Sequence, residues 1–298
     1  MPSPEAVELW KTLRAAPDPE DLELEEQRDA DELVEDAASE PSGVRYDPAA
    51  PLEGLWATPE GWDGRSTVLY LFGGGYVASS PATRRTLAGH LARAAGARVA
   101  VPDYRLAPEH PFPAAFEDAT DAYRWLTAEE GVDPQAMVVA GDSAGGGLAL
   151  AAMLSVRGDD VPLPAGLVAI SPWVDLALAG ESLDAQADND LTVTKADLER
   201  KATEYLDGAD PRDPLASPLY GDLTGLPPLL VVVGADEALL DDSIRLVRKA
   251  GVAGVKTTLI IEPEMQHAFP IFAGRMPEAD AAIAGIGEWI RGRLTPSA

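Results

Sequence analysis

Short apolar runs alternate with longer amphipathic stretches along most of this chain after Gly43. Each run ends at a turn or a helical stretch, a pattern typical of a parallel sheet whose strands are joined by helices. The clearest runs predict strands over Thr67–Phe72, Arg98–Val101, Ala136–Ala140, Gly166–Ile170, Leu229–Val233 and Lys256–Ile261. The intervening periodicity predicts crossover helices over Thr83–Ala95, Pro113–Glu130, Ala144–Arg157 and Asp242–Gly251. The expected fold class is α/β, a mostly parallel central sheet flanked by helices, with an antiparallel edge hairpin at 43–59.

Two segments depart from this alternation. Residues 1–42 are acidic and carry apolar residues at helical spacing, which predicts two helices outside the sheet on either side of the break Pro17-Asp18-Pro19; the apolar residues are Ala6, Leu9, Trp10, Leu13, Leu33, Val34 and Ala37. The polar stretch 179–218 contains a helical pattern over Lys195–Leu206 and is predicted to be an insertion. No linker divides the chain, so residues 43–298 are expected to form one domain that carries this insertion.

Composition excludes several classes of function. The chain has 298 residues, 46% of them hydrophobic, enough for a large buried core. Asp and Glu total 50 against 23 for Lys and Arg, and the net charge of -27 repels nucleic acid and anionic lipid. We therefore expect neither a nucleic-acid partner nor a membrane partner. One hypothesis for so large an acidic excess is adaptation to high salt.

The absence of cysteine excludes disulfides, cysteine-zinc sites and thiol nucleophiles. The sequence begins without a basic residue followed by an apolar run, and no segment has the length of an apolar membrane span. These features predict a soluble, cytoplasmic protein.

Gly141-Asp142-Ser143-Ala144-Gly145 lies directly between a predicted strand and a predicted helix. This is the context of a nucleophile elbow, in which small neighbours allow a tight turn that exposes the serine hydroxyl. The alternative is a glycine-rich turn that binds phosphate at a helix N-terminus. No Walker lysine follows, and the acidic charge disfavours phosphate, so Ser143 is predicted to be a nucleophile.

A serine nucleophile needs a base, and His267 is the only histidine that follows Ser143. Chain order in this type of fold is nucleophile, acid, histidine. His90 lies in a helical pattern and His110 in a proline-rich loop, so both are expected to be structural. His267 follows the predicted strand Lys256–Ile261, in a loop that can reach the carboxyl edge of the sheet.

The acid that orients the histidine should follow a strand between Ser143 and His267. Asp236 fits this position, just beyond the strand Leu229–Val233. Asp241 and Asp242 compete with it, but they stand where a helix cap is expected. Asp236 is the predicted acid. The acidic run Asp184–Asp190 lacks the pattern of a calcium loop and is expected to be a solvated face.

Gly73-Gly74-Gly75 follows the first strong strand and can place backbone N–H groups close to a substrate. Such donors stabilise the negative charge that develops on an attacked carbonyl oxygen. The N–H of Ala144, the residue after the serine, would complete this oxyanion hole. A flexible glycine turn is the alternative.

In combination these motifs resemble the bacterial hormone-sensitive-lipase-like family of α/β-hydrolases, also called family IV esterases. The similarity covers residue 43 to the C-terminus. Its motifs are Gly73–Gly75, Asp103-Tyr104-Arg105-Leu106-Ala107-Pro108-Glu109 with Phe112-Pro113, the serine elbow at 141–145, Ser171-Pro172-Trp173, Asp236 with Leu239, and His267 before Phe269. Within the family, the glycine motif is most similar to the ε-lactone hydrolase-like members.

The resemblance implies a triad of Ser143, Asp236 and His267, and an oxyanion hole of the N–H groups of Gly74, Gly75 and Ala144. It also implies a helical cap, formed by the N-terminal helices and an insertion at about 179–218. An intact triad argues against the related plant hormone receptors, which have lost the catalytic histidine.

Phe72 departs from the family pattern, which usually has histidine before the glycines. We hypothesise that packing of the Phe72 ring replaces polar anchoring of the loop. Phe72→Ala should then lower activity far more than Phe72→His, and equal activity of the two variants would contradict the idea. Phe72, Tyr76, Trp173 and Tyr205 are candidate pocket walls, with a packing role as the alternative for the last three.

The predicted function is a serine carboxylic-ester hydrolase that acts on small to medium acyl esters or lactones through an acyl-enzyme, without a cofactor or metal. The alternatives are an amidase or acyltransferase of the same fold, a non-catalytic binding module, and a phosphate or nucleotide binder. The expected partner is a small-molecule ester or lactone. The sequence leaves the oligomeric state open, with a homodimer among the alternatives.

Overall fold

The computed structural model describes residues 1–16, 22–32, 37–159 and 161–294. Within them, a single sheet contains eight strands: β1 (Val44–Ala49), β2 (Gly54–Pro59), β3 (Thr67–Leu71), β4 (Arg98–Val101), β5 (Met137–Asp142), β6 (Gly166–Ile170), β7 (Leu229–Gly234) and β8 (Thr257–Glu262). Their spatial order is β1-β2-β4-β3-β5-β6-β7-β8. The pairs β1–β2 and β2–β4 are antiparallel, and the other neighbours are parallel. The predicted α/β fold and its edge hairpin are confirmed.

The helices of the same described residues are α1 (Pro4–Arg14), α2 (Leu24–Glu32), α3 (Arg85–Ala95), α4 (Ala114–Ala128), α5 (Ala144–Val156), α6 (Ser182–Ala185), α7 (Lys195–Leu206), α8 (Leu240–Val252) and α9 (Pro277–Leu294). Helices α3, α4, α5 and α8 connect strands of the sheet, as predicted. Helix α9, which the sequence analysis does not predict, packs against α3. None of these helices combines the length and the apolar character that a bilayer span requires.

The central strands owe their placement to continuous apolar runs. Every residue of β3, β5, β6 and β7 is buried, as expected for parallel strands covered by helices on both faces. Strand β8 lies at an edge of the sheet and has no fully buried residue. Because β5 to β8 are neighbours and parallel, their carboxyl ends form one continuous edge, where a ligand site of this fold class is expected.

The N-terminal segment contacts the insertion through polar groups. Gln27 Nε2 of α2 donates to Asp197 Oδ1 of α7 at 3.1 Å, and Arg200 of α7 donates to the carbonyl of Leu22 at 3.0 Å. The apolar pattern did not locate α2 because the helix is mostly polar and its buried Gln27 is held by a hydrogen bond. The predicted helical positions Leu33 and Val34 and the predicted break Pro17-Asp18-Pro19 lie outside the described residues.

Helix α7 forms over the residues predicted for it, and its N-cap Thr194 accepts a hydrogen bond from the N–H of Asp197. The division of the chain into a cap (1–42 and about 179–218) and a catalytic domain (43–298) stays a prediction.

Candidate active site

Ser143 occupies the sharp turn between β5 and α5. Its backbone has φ 53° and ψ -124°, a conformation that non-glycine residues rarely adopt and that is typical of functional sites. The flanking glycines are required sterically, because a Cβ at Gly145 would lie 2.1 Å from the carbonyl oxygen of Leu71, and one at Gly141 would lie 2.3 Å from that of Gly145. Ser143 is partly exposed although its neighbours Asp142 and Ala144 are buried. The turn has the geometry of a nucleophile elbow.

Asp142, for which the sequence pattern predicts no role, connects the glycine loop to this elbow. Its buried carboxylate accepts hydrogen bonds from the Tyr70 hydroxyl at 2.8 Å and the N–H of Gly73 at 3.0 Å, and it pairs with Arg84 at 3.1 Å. A Cβ at Gly73 would lie only 3.0 Å from Cβ of Ser143. The glycine loop therefore runs directly beside the serine.

Gly74 and Gly75 have φ values of 120° and 66°, which L-residues with side chains rarely adopt. The carbonyl of Gly74 accepts from the N–H groups of Val77 and Ala78. The N–H groups of Gly74, Gly75 and Ala144 take part in none of the hydrogen bonds found among the described residues. They are therefore free to donate to a ligand, as the predicted oxyanion hole requires.

His267 lies in the loop after β8 and is buried, with 9% of its surface exposed. Its Nδ1 is 2.7 Å from Oε2 of Glu237, which follows β7 and is fully buried. A carboxylate can only accept, so Nδ1 carries a proton, and in the neutral imidazole Nε2 therefore keeps its lone pair. Burial lowers the pKa of His267, but the hydrogen bond and the charge of Glu237 outweigh this effect and raise the pKa above its ordinary value of 6.5.

The structure corrects the choice of acid, because Glu237 and not Asp236 contacts His267. Asp236 lines a cavity of about 300 Å³ together with Trp10, Glu264 and Gln266. Burial and the charges of Glu264 and Asp190 raise the pKa of Asp236. Two neighbouring loop residues project in different directions, so the sequence could place an acid after β7 without deciding which residue it is.

Glu237 is held by more than the histidine. Its Oε1 accepts hydrogen bonds from the Ser171 hydroxyl at 2.8 Å and from the N–H of Gly234 at 2.5 Å. Burial raises the pKa of Glu237, and the hydrogen bonds from His267 and Ser171 oppose that shift. Donors around both oxygens favour the ionised carboxylate, the form that can stabilise an imidazolium.

Asp190 is buried, with 7% exposure, although the acidic run 184–190 was predicted to be a solvated face. Its Oδ2 accepts from the N–H of Ala238 at 2.8 Å. Gln266, the residue before His267, also contacts the insertion: its side-chain oxygen accepts a hydrogen bond from the N–H of Leu191 at 2.8 Å. The insertion is thus joined to both loops that carry Glu237 and His267. A short acidic run shows no periodicity that could have revealed the buried member.

The other candidate acids and histidines have structural contacts. Asp242 accepts from the N–H groups of Val174 and Asp175, and Asp241 accepts from that of Ser182. His90 lies in α3, 2.7 Å from the carbonyl oxygen of Ser39, and His110 lies in an exposed turn. The two aspartates therefore bind neighbouring backbone, although not as the helix cap that was predicted.

The four aromatic residues predicted as pocket walls are all buried. Phe72 stacks on Tyr104 with ring centroids 4.0 Å apart and an interplanar angle of 13°. Tyr76 stacks on Tyr205 of α7 at 3.9 Å and lies 6.0 Å from Trp173. Packing accounts for every one of these contacts, so a pocket role for Phe72, Tyr76, Trp173 and Tyr205 stays a prediction. The Phe72 stacking is the contact that the ring-anchoring hypothesis requires.

Comparison with known proteins assigns the fold to a family. Residues 68–271 match the family model described as alpha/beta hydrolase fold. The chain belongs to this family. The chain is also 48% identical over 236 residues to an acetyl-hydrolase of Streptomyces hygroscopicus, covering 79% of this chain and 78% of that one. It is 39% identical to an esterase of Acinetobacter venetianus, covering 74% and 73%.

Similarity to solved structures supports the same family assignment. A crystal structure of an esterase from the bacterial hormone-sensitive lipase family matches with a TM-score of 0.93 and 42% identity, covering 99% of this chain and 100% of that one. A crystal of EstE5 soaked with p-nitrophenyl butyrate matches with a TM-score of 0.90 and 41% identity, covering 98% and 99%. The predicted membership of the hormone-sensitive-lipase-like esterases is confirmed. The ε-lactone hydrolase subgroup stays a prediction.

Proposed function

We propose that this α/β-hydrolase is a serine carboxylic-ester hydrolase that uses Ser143, His267 and Glu237. The observation that carries the proposal is the 2.7 Å contact between His267 Nδ1 and Glu237, at the same sheet edge as the strained Ser143. The two loops and the elbow are linked through β6, because the N–H of Ser143 donates to the carbonyl of Ile170 and the next residue, Ser171, contacts Glu237.

The proposed reaction proceeds through an acyl-enzyme. Ser143 Oγ attacks the ester carbonyl carbon while His267 Nε2 takes the hydroxyl proton, and Glu237 stabilises the imidazolium that results. The N–H groups of Gly74, Gly75 and Ala144 donate to the oxyanion of the tetrahedral intermediate. Its collapse releases the alcohol, which receives the proton from His267. A water molecule activated by His267 then attacks the acyl-enzyme by the same route and releases the acid.

Short to medium acyl esters are the substrates we propose. The relative from Streptomyces hygroscopicus is named as an acetyl-hydrolase, and a butyryl ester was used to soak the EstE5 crystal. Helix α7 lies above the glycine loop, where a Cβ at Gly75 would be 2.4 Å from Cδ of Lys201. Because the Lys201 side chain covers this part of the loop, less room remains for long acyl chains. A lactone is an internal ester and would follow the same chemistry, so it remains the alternative substrate.

The first test compares wild type and Ser143→Ala with p-nitrophenyl butyrate. We expect hydrolysis by the wild type and only background with Ser143→Ala, provided that circular dichroism shows both to be folded. Activity of Ser143→Ala would contradict the assignment of the nucleophile. Butyryl p-nitroanilide, measured in parallel, tests the amidase alternative, and light scattering of the purified protein determines its oligomeric state.

A further inference from the structure

Ser171 lies at the carboxyl end of a strand that contributes no residue to the proposed triad. Ser143 follows β5, Glu237 follows β7 and His267 follows β8. Between β5 and β7 lies β6, and Ser171 is the residue directly after it. Four neighbouring parallel strands therefore each deliver one of these residues to the same edge. Ser171 stands between the nucleophile and the acid.

The hydroxyl of Ser171 connects the acid to the histidine loop. Its Oγ donates to Oε1 of Glu237 at 2.8 Å and accepts from the N–H of Ala268, the residue after His267, at 3.0 Å. The residue is fully buried, and its own N–H donates to the carbonyl of Val232 at 2.7 Å. A backbone N–H can only donate, so the hydroxyl oxygen accepts from Ala268 and its proton is directed to Glu237.

This contact holds one oxygen of the Glu237 carboxylate. A glutamate has several rotatable bonds, and a buried carboxylate without donors is strongly disfavoured. Ser171 and the N–H of Gly234 together hold Oε1, which leaves Oε2 facing Nδ1 of His267. The backbone of Ser171 has φ 44°, in the left-handed region that favours glycine. Ser171 therefore carries a side chain at a backbone position where any side chain causes strain.

We propose that Ser171 is a positioning residue of this hydrolase, which fixes Glu237 and the His267 loop in the arrangement needed for proton transfer. The proposal rests on the proposed function, because it assumes that His267 is the base and Glu237 its partner. Ser171 acts through these two groups and does not touch the substrate.

The test is Ser171→Gly, which removes the hydroxyl and suits the positive φ. We expect kcat for p-nitrophenyl butyrate to fall about tenfold, since a hydrogen bond to a charged group is lost. KM should change less than about twofold, because ground-state binding is not affected. Ser171→Ala is a second variant with the same expectation. An unchanged kcat in a folded Ser171→Gly protein, with Ser143→Ala inactive, would overturn the proposal.

Ser217 provides a matched control. It is also fully buried, and its hydroxyl accepts from the N–H of Leu176 at 2.8 Å and donates to the carbonyl of Pro211 at 2.7 Å. None of these partners belongs to the proposed site. Ser217→Ala should lower the melting temperature and leave kcat unchanged. Equal losses of kcat in Ser217→Ala and Ser171→Gly would show a general packing effect and contradict a positioning role.

A double-mutant cycle with Glu237→Gln separates positioning from simple destabilisation. If Ser171 acts through the Glu237 carboxylate, its replacement by Gly should cost less than about threefold in the Glu237→Gln background. A further tenfold loss there would mean that Ser171 does not act through Glu237, and the proposed positioning of the Glu237 carboxylate by Ser171 would be overturned. Activity of Ser143→Ala, by contrast, would overturn the proposed function itself.

Discussion

At the scale of single residues, the chemistry depends on which of two adjacent carboxylates faces His267. Glu237 is fully buried against the imidazole, whereas the Asp236 side chain lines a cavity beside α1. Both follow β7 in the same short loop. The extra methylene of glutamate lets its carboxylate reach back over the strand end, where the N–H of Gly234 and the Ser171 hydroxyl bind it.

Replacing each carboxylate by its amide tests this assignment. Glu237→Gln should lower kcat at least about 100-fold, because an amide can neither fix the reactive tautomer nor stabilise the imidazolium. Asp236→Asn, the matched neighbour, should stay within about threefold of wild type, since it touches no reacting group. Initial rates with p-nitrophenyl butyrate are the measurement. The reverse ranking of the two variants would restore Asp236 as the acid.

The protonation of His267 sets the lower limit of the active pH range. Only the neutral imidazole can accept the serine proton, and the pKa of His267 lies above 6.5 because of Glu237. We therefore expect kcat/KM to rise with pH through a midpoint above 6.5 and to be lost as pH falls through it. A profile of kcat/KM from pH 5 to 9 measures this midpoint. A midpoint below 6.5 would mean that burial lowers the pKa of His267 more than Glu237 raises it.

At the scale of elements, α7 combines a structural anchor with a contact to the glycine loop. Asp197 is buried and binds Lys201 at 2.7 Å, Arg200 at 2.5 Å and Gln27 at 3.1 Å. The carbon chain of Lys201 is thereby held across Gly75. Because several groups share Asp197, we expect the helix to keep its anchor when one partner is removed. The contact above the loop can therefore be changed separately.

Lys201→Ala should widen the space above Gly75 and favour longer acyl chains. We expect the ratio of kcat/KM for p-nitrophenyl octanoate over butyrate to increase about threefold, a small part of what pocket contacts can contribute. Lys195→Ala is the control on the same helix, because Lys195 pairs with Asp184 in a more exposed position. An unchanged ratio in Lys201→Ala, or an equal change in both variants, would contradict a role of Lys201 in limiting acyl-chain length.

At the scale of the whole molecule, the net charge of -27 acts on stability. Like charges across the surface repel each other more in the compact state than in the expanded unfolded chain. Salt screens this repulsion, since the screening length falls from about 10 Å at 0.1 M to about 3 Å at 1 M. The acidic surface therefore links stability to ionic strength without involving the catalytic groups.

Melting temperature should consequently rise with NaCl. Between 0.05 and 1 M we expect an increase of about 3 °C or more, the equivalent of a small gain in unfolding free energy. KCl at equal concentration should have the same effect, because screening depends on ionic strength and not on the cation. A melting temperature that does not rise in either salt would dismiss the hypothesis of salt adaptation.

The sequence by itself determined the fold and predicted most of the candidate site. Continuous apolar runs with turn residues at their ends located the parallel strands, and the elbow 141–145 made Ser143 the predicted nucleophile because few residues fit so tight a turn. His267 followed from chain order. These features are local, or depend only on the order of elements, so a pattern along the chain can reveal them.

Only the tertiary structure decided which side chains meet. Glu237 was separated from Asp236 by the direction of one loop, and Asp190 and Ser171 contact that loop because distant segments pack against each other. The apolar pattern did not predict helix α2, because its buried Gln27 is polar and donates a hydrogen bond to Asp197, far away in the sequence. Hydrogen bonds between distant residues leave no periodic trace, and the physical reason is that they depend on directions in space and not on spacing along the chain.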